Sequence, residues 1–86
     1  MTRILVVDDE PHIVSLVTRA LRAEGFDTVS ADDGQAALDA ARDDDVDLVI
    51  LDVGLPSMDG FEVLRALRAQ GEQMPVIMLT ARSGTS

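Results

Sequence analysis

The sequence predicts an α/β fold built on a parallel sheet, and three observations point to it. Four short apolar runs, Ile4 to Val7, Thr28 to Ala31, Leu48 to Leu51 and Val76 to Leu79, recur along the 86 residues. They are rich in Val, Ile and Leu and, apart from a weak alternation in the second, are not interleaved with polar residues. Such runs suit strands covered on both faces. Between them lie stretches of helical period, so the order reads β-α-β-α-β-α-β, the alternation that defines this class. Right-handed crossovers then place helices on both faces of the sheet.

Each element carries its own signal. After the first run comes Pro11, a good first helical residue, with Asp9 or Glu10 near the cap. Ile13, Leu16, Val17, Ala20 and Leu21 follow the spacing of one helix face and are expected to point inward. Gly25 stands where a helix closes on a left-handed residue. A second helix is expected from about Gly34 to Arg42, capped by Asp32 or Asp33, with Ala37, Leu38 and Ala41 inward. A third begins near Asp59-Gly60, carries Phe61, Leu64 and Leu67 toward the core, and stops at Gly71. Arg65 and Arg68 lie near its carboxyl end, where a cation suits the helix dipole.

Length argues for one domain. A chain this short buries a modest share of its surface, and with no Cys it has no disulfide to compensate. Nothing in cysteine usage suggests an oxidising compartment. The apolar run at the amino terminus is four residues long and ends in acids, unlike a signal peptide, and nothing approaches a membrane span. A cytoplasmic protein is expected. The net charge of −9 repels DNA and anionic membranes, so direct contact of this segment with either is not expected. All seven basic residues are Arg, with no Lys, and Trp and Tyr are absent, which removes aromatic platforms for nucleic-acid bases.

In parallel sheets of this class ligands bind at the carboxyl ends of the strands. The first strand ends in Asp8-Asp9-Glu10, the third in Asp52 and the fourth in Thr80. If strands one and three are neighbours, with strand two outside strand one, three carboxylates and a hydroxyl share one crevice. Clustered carboxylates disfavour one another's ionised form unless a cation joins them. Mg²⁺ suits a site of one or two carboxylates that keeps waters and adds a phosphate oxygen. A carboxylate there can attack phosphorus to give an aspartyl phosphate, and Thr80 can donate a hydrogen bond to the transferred group. The blander alternative is that strand-end acids are helix caps and solvated loop residues. Asp43-Asp44-Asp45, before strand three at the opposite end of the sheet, is read that way. His12 is read as an exposed first-turn residue rather than a phosphorelay group. The loop Val53 to Gly60 is long for a βα connection; Pro56 stiffens it, and Gly60 permits an unusual backbone angle or a close helix start.

Ile4-Leu5-Val6-Val7-Asp8-Asp9-Glu10, Asp47 to Asp52, Leu55-Pro56-Ser57-Met58-Asp59-Gly60 and Pro75 to Arg82, in this order and at this spacing, resemble the response-regulator receiver domains of two-component signalling. The resemblance spans the whole chain. Leu79-Thr80-Ala81-Arg82 is similar to the subfamily whose receivers precede a winged-helix DNA-binding domain. It implies a flavodoxin-like doubly wound parallel sheet, here about four strands in the order 2-1-3-4 with three helices. It implies that Asp52 takes the phosphoryl group from a sensor histidine kinase. Asp9, Asp52 and the Gly54 backbone carbonyl would bind Mg²⁺, with Asp8 acting through water. Thr80 would follow the phosphoryl group, and the Ala81 amide would help hold it. Gly54 and Arg82 occupy positions that the family uses to set phosphate lifetime.

The chain departs from the family at its carboxyl end. The family has five strands and five helices, so residues 1–86 are expected to form a receiver lacking the fifth strand and last two helices. The Lys and the aromatic switch residue that the family carries on that strand have no counterpart here. Strand four becomes an apolar edge that invites pairing with another chain, and self-association through it, domain swapping or partial unfolding is expected. Two rival functions follow: an inactive, self-associating fragment, and a Mg²⁺-dependent phosphohydrolase using Asp52. Phosphohydrolases of that kind place a second acid two residues after the nucleophile, where this chain has Gly54. Signalling rather than enzymatic turnover is the expectation.

Overall fold

The computed structural model describes residues 1–55 and 58–79. The elements alternate as expected: β1 (Arg3–Val7), α1 (Pro11–Ala23), β2 (Asp27–Ala31), α2 (Gly34–Asp43), β3 (Leu48–Asp52), α3 (Gly60–Ala69) and β4 (Val76–Leu79). All pairings are parallel, in the order β2-β1-β3-β4. This is the order that the acid-bearing strand ends required.

The helices are closed by local chemistry. α1 begins at Pro11 without a side-chain cap; α2 is capped by Asp33, whose carboxylate accepts from the Ala36 N–H at 2.8 Å. Asp59 and Glu62 form a reciprocal capping box at the start of α3. α1 and α3 both end on a glycine at positive φ, Gly25 at 94° and Gly71 at 90°. In each, the following N–H reaches back to the helix, Phe26 to the Leu21 carbonyl and Glu72 to the Leu67 carbonyl, both at 3.1 Å.

The core lies on the α2/α3 side of the sheet, where Leu5, Val7, Val49 and Leu51 meet Ala37, Leu38, Val63 and Leu67. Ile4 and Val6, on the opposite face by strand alternation, are buried as well, on the side covered by α1, which packs on β1 and β2. Two inward assignments need correction. Phe61 is exposed, and Val63, two residues on, is fully buried in its place. In α1, Val17 and Leu21 are half-buried, but Ile13, Leu16 and Ala20 are exposed, Leu16 at 62%. The apolar stripe of α1 is wider than the sheet surface it covers, because α1 packs chiefly on β1 and β2. The α1-side residues of the edge strand, Ile77 and Leu79, are correspondingly exposed, at 48% and 43%.

Candidate functional site

Parallel pairing of β1 with β3 aligns Val7 with Leu51, so Asp8, the residue after β1, and Asp52, the last residue of β3, stand side by side. Asp9 follows before α1 begins. One carboxylate oxygen from each of Asp8, Asp9 and Asp52 lies within 4.8 Å of the others. The three differ in exposure: Asp52 is buried, Asp8 partly buried and Asp9 exposed.

Local bonds hold the geometry. The Asp8 carboxylate accepts the Glu10 N–H at 2.9 Å, tightening the turn into α1. Beyond Asp52, the Val53 N–H donates to the Leu79 carbonyl at 3.1 Å, and the Gly60 N–H donates to the Val53 carbonyl at 2.8 Å. Gly60 therefore serves a close helix start rather than a left-handed turn. The exposed Gly54 stands two residues past Asp52, at the rim.

Among the described residues no ion pair relieves the charge at this end. Burial raises the Asp8 carboxyl above its ordinary value; the Glu10 N–H opposes this, and the negative charges of Asp52 and Asp9 add to it. Among the described residues the ion pairs are Arg3–Asp27, Arg42–Asp39 and Arg42–Asp43, and none includes a member of the cluster. Three hard oxygen donors at this separation, one of them buried, fit a hard divalent cation of the Mg²⁺ type, which accepts a few carboxylates and retains waters.

An open cavity of about 500 Å³ adjoins the cluster on the β2 side, lined among others by Asp8, Asp9, Ser15, Ser30 and Asp32. Ser15, Ser30 and Asp32 join the acids at this end without a sequence motif of their own; Ser30 and Asp32 flank Ala31, the last residue of β2, where the strand-end rule points. His12 is exposed on the first turn of α1, and Asp43 to Asp45 lie at the opposite end of the sheet. Thr80, Ala81 and Arg82 lie outside the described residues, as do Pro56 and Ser57.

The response regulator receiver domain family matches residues 4–86. The chain belongs to that family. Among relatives of this receiver, the DNA-binding response regulator MtrA of Mycolicibacterium smegmatis is 51% identical over 83 residues, covering 96% of this chain and 36% of MtrA. The receiver thus spans about a third of that relative's length. Among solved structures, the response regulator TrrA of Thermotoga maritima in complex with Mg²⁺-BeF superposes with a TM-score of 0.90 at 42% identity, covering 96% of this chain and 72% of that one. TrrA in complex with the histidine kinase ThkA gives 0.89 at 41% identity, over 99% and 73% of the respective chains. The receiver fold is therefore shared, and β2-β1-β3-β4 is its flavodoxin-like strand order.

Proposed function

We propose that this receiver accepts a phosphoryl group on Asp52 from a sensor histidine kinase and passes the resulting state to a DNA-binding output region of a longer protein. The observation that carries the reading is the convergence of Asp8, Asp9 and Asp52 within 4.8 Å with no ion pair among the described residues to neutralise them. The complex of TrrA with a kinase and the DNA-binding description of MtrA support the partner and the output.

In this reading a carboxylate oxygen of Asp52 attacks the phosphorus of a phosphohistidine. The O–P bond forms, the N–P bond breaks, and its electron pair returns to the imidazole nitrogen. Asp9, Asp52 and the Gly54 carbonyl would hold Mg²⁺, with Asp8 acting through water; TrrA with Mg²⁺-BeF supports this ligand class. The bound cation supplies neutralisation of charge on the group in transit. Thr80 would donate its hydroxyl, and Ala81 its N–H, to the phosphoryl oxygens. Residues 1–86 would be the amino-terminal part of the receiver, in a cytoplasmic protein; no helix among the described residues is long and apolar enough to cross a membrane.

The test is intact mass after incubation with acetyl phosphate and Mg²⁺. One phosphoryl adduct is expected, and none on Asp52→Asn; an adduct that survives the substitution removes Asp52 from the role. A second reading, a self-associating receiver without phosphorylation, is favoured by the exposed Ile77 and Leu79 on edge strand β4. It predicts no adduct on either chain, together with sedimentation that depends on concentration.

A further inference from the structure

We propose that Gly60 is a positioning residue for Asp52: α3 can start against the Asp52–Val53 backbone only because Gly60 has no side chain, and this contact fixes the nucleophile over the acidic cluster. The inference rests on the phospho-acceptor reading of Asp52 and adds a residue that touches neither cation nor phosphoryl group.

Gly60 is the first residue of α3 and is buried. A Cβ built there would lie 2.9 Å from the Val53 Cα, 3.0 Å from the Asp52 carbonyl oxygen and 3.0 Å from the Met78 methyl. The Met78 methyl can swing aside. The other two contacts are backbone and yield only if the end of β3 or the start of α3 moves. α3 has little room to retreat. Its first turn is tied by the Asp59–Glu62 capping box, with bonds of 2.9 and 3.0 Å. Val63 and Leu67, both at 0% exposure, lock it into the core. Moreover, the Gly60 N–H already holds the Val53 carbonyl at 2.8 Å. A side chain at position 60 is therefore relieved chiefly by displacing Asp52 and Val53. Gly54 contrasts with it, since a Cβ there would meet nothing within 4 Å.

The experiment compares wild type, Gly60→Ala and Gly71→Ala. Gly71 closes the far end of the same helix at φ 90° with nothing within 4 Å of its Cβ position, so its substitution strains α3 without touching β3. Two quantities are read: the backbone amide resonances of Val53 and Gly54 in the metal-free chain, and the Mg²⁺ dissociation constant by calorimetric titration. Gly60→Ala is expected to shift both resonances and to weaken Mg²⁺ binding by about tenfold or more, the usual effect of disturbing a ligand's support. Gly71→Ala is expected to lower the melting temperature with Mg²⁺ affinity unchanged. Should Gly60→Ala be unfolded in plain buffer, all three chains are titrated in an osmolyte at which it is folded. Wild-type affinity in folded Gly60→Ala overturns the proposal and leaves the phospho-acceptor reading standing. Equal losses in the two variants also overturn it, because the effect is then one of stability alone. Absence of Mg²⁺ binding in wild type overturns both.

Discussion

At its amino end the sheet gathers Asp27, Asp44 and Asp47 around Arg3; at its carboxyl end it gathers Asp8, Asp9 and Asp52 with no ion pair to them among the described residues. The Arg3 guanidinium donates to the Asp27 carboxylate at 2.8 Å and to the Asp44 carbonyl, while the Arg3 backbone N–H donates to the Asp47 carboxylate at 2.9 Å. The consequence is visible in the acids themselves. Hydrogen bonding to Arg3 holds the Asp27 carboxyl below its ordinary value, whereas burial, followed by the charges of Asp52 and Asp9, lifts that of Asp8. At one end the Asp27 and Asp47 carboxylates find their donors on Arg3. At the other end, apart from the Glu10 N–H on Asp8, no cation among the described residues meets the acids, which is the arrangement a cation-dependent site needs.

The largest way to break this comparison is to supply the missing charge. Mg²⁺ at a hundredfold excess over its dissociation constant should stabilise the folded chain by about 2–3 kcal/mol. The measurement is urea unfolding with and without the ion. Unmoved midpoints would mean that the carboxylates do not act together. A smaller effect comes from removing one charge instead. Asp8→Asn keeps an oxygen to accept the Glu10 N–H but relieves repulsion, so the metal-free chain should gain on the order of 1 kcal/mol, and its response to Mg²⁺ should shrink. Loss of stability in the metal-free variant would mean that the Asp8 carboxylate is already neutralised by the protein.

How the two ends differ was only half legible in the sequence. β1 and β3 could be read from Ile4 to Val7 and Leu48 to Leu51, and parallel topology then brings Asp8, Asp9 and Asp52 together, because the residue after each strand is fixed by chain continuity. The Arg3 bridge was not legible. It depends on the register that sets Arg3 opposite Asp27 and on the turn that delivers Asp44 and Asp47, long-range facts with no local pattern. Helix faces were legible by period but not by width. Spacing nominated Phe61 with Leu64 and Leu67 and passed over Val63, and the packing of α3 on α2 buries Val63 instead. Ile13 and Leu16 share the stripe of Val17, yet only part of that stripe has sheet beneath it.

That uncovered side of the sheet gives a further, weaker effect to measure. Exposed Ile77 and Leu79 lie on β4, the edge strand among the described residues, and pairing of two such edges would build a continuous sheet. Sedimentation velocity across a concentration series should show self-association of the chain, reduced by Ile77→Lys. A chain monomeric at the highest concentration would remove the edge as an interface, and the charge of −9 would then be the term that wins.

The smallest effect returns to the amino end. Asp27 has a folded value below its unfolded one, so its contribution to stability is fully present above the ordinary carboxylate range. It is lost as pH falls through the lower, folded value. Asp8 has the opposite sign: its folded value is raised, so the fold is favoured as pH falls through it and disfavoured as pH rises above it. Below the ordinary carboxylate range the wild-type chain should therefore lose the Asp27 contribution, and Asp27→Asn should flatten that part of the profile while leaving the Asp8 part in place. The Arg3–Asp27 pair is substantially exposed, with side chains at 38% and 41%, and such pairs contribute little. Flattening should be small and should vanish at high salt. A large loss in Asp27→Asn that persists in salt would show that Arg3 holds the amino end by the fit of its hydrogen bonds rather than by charge.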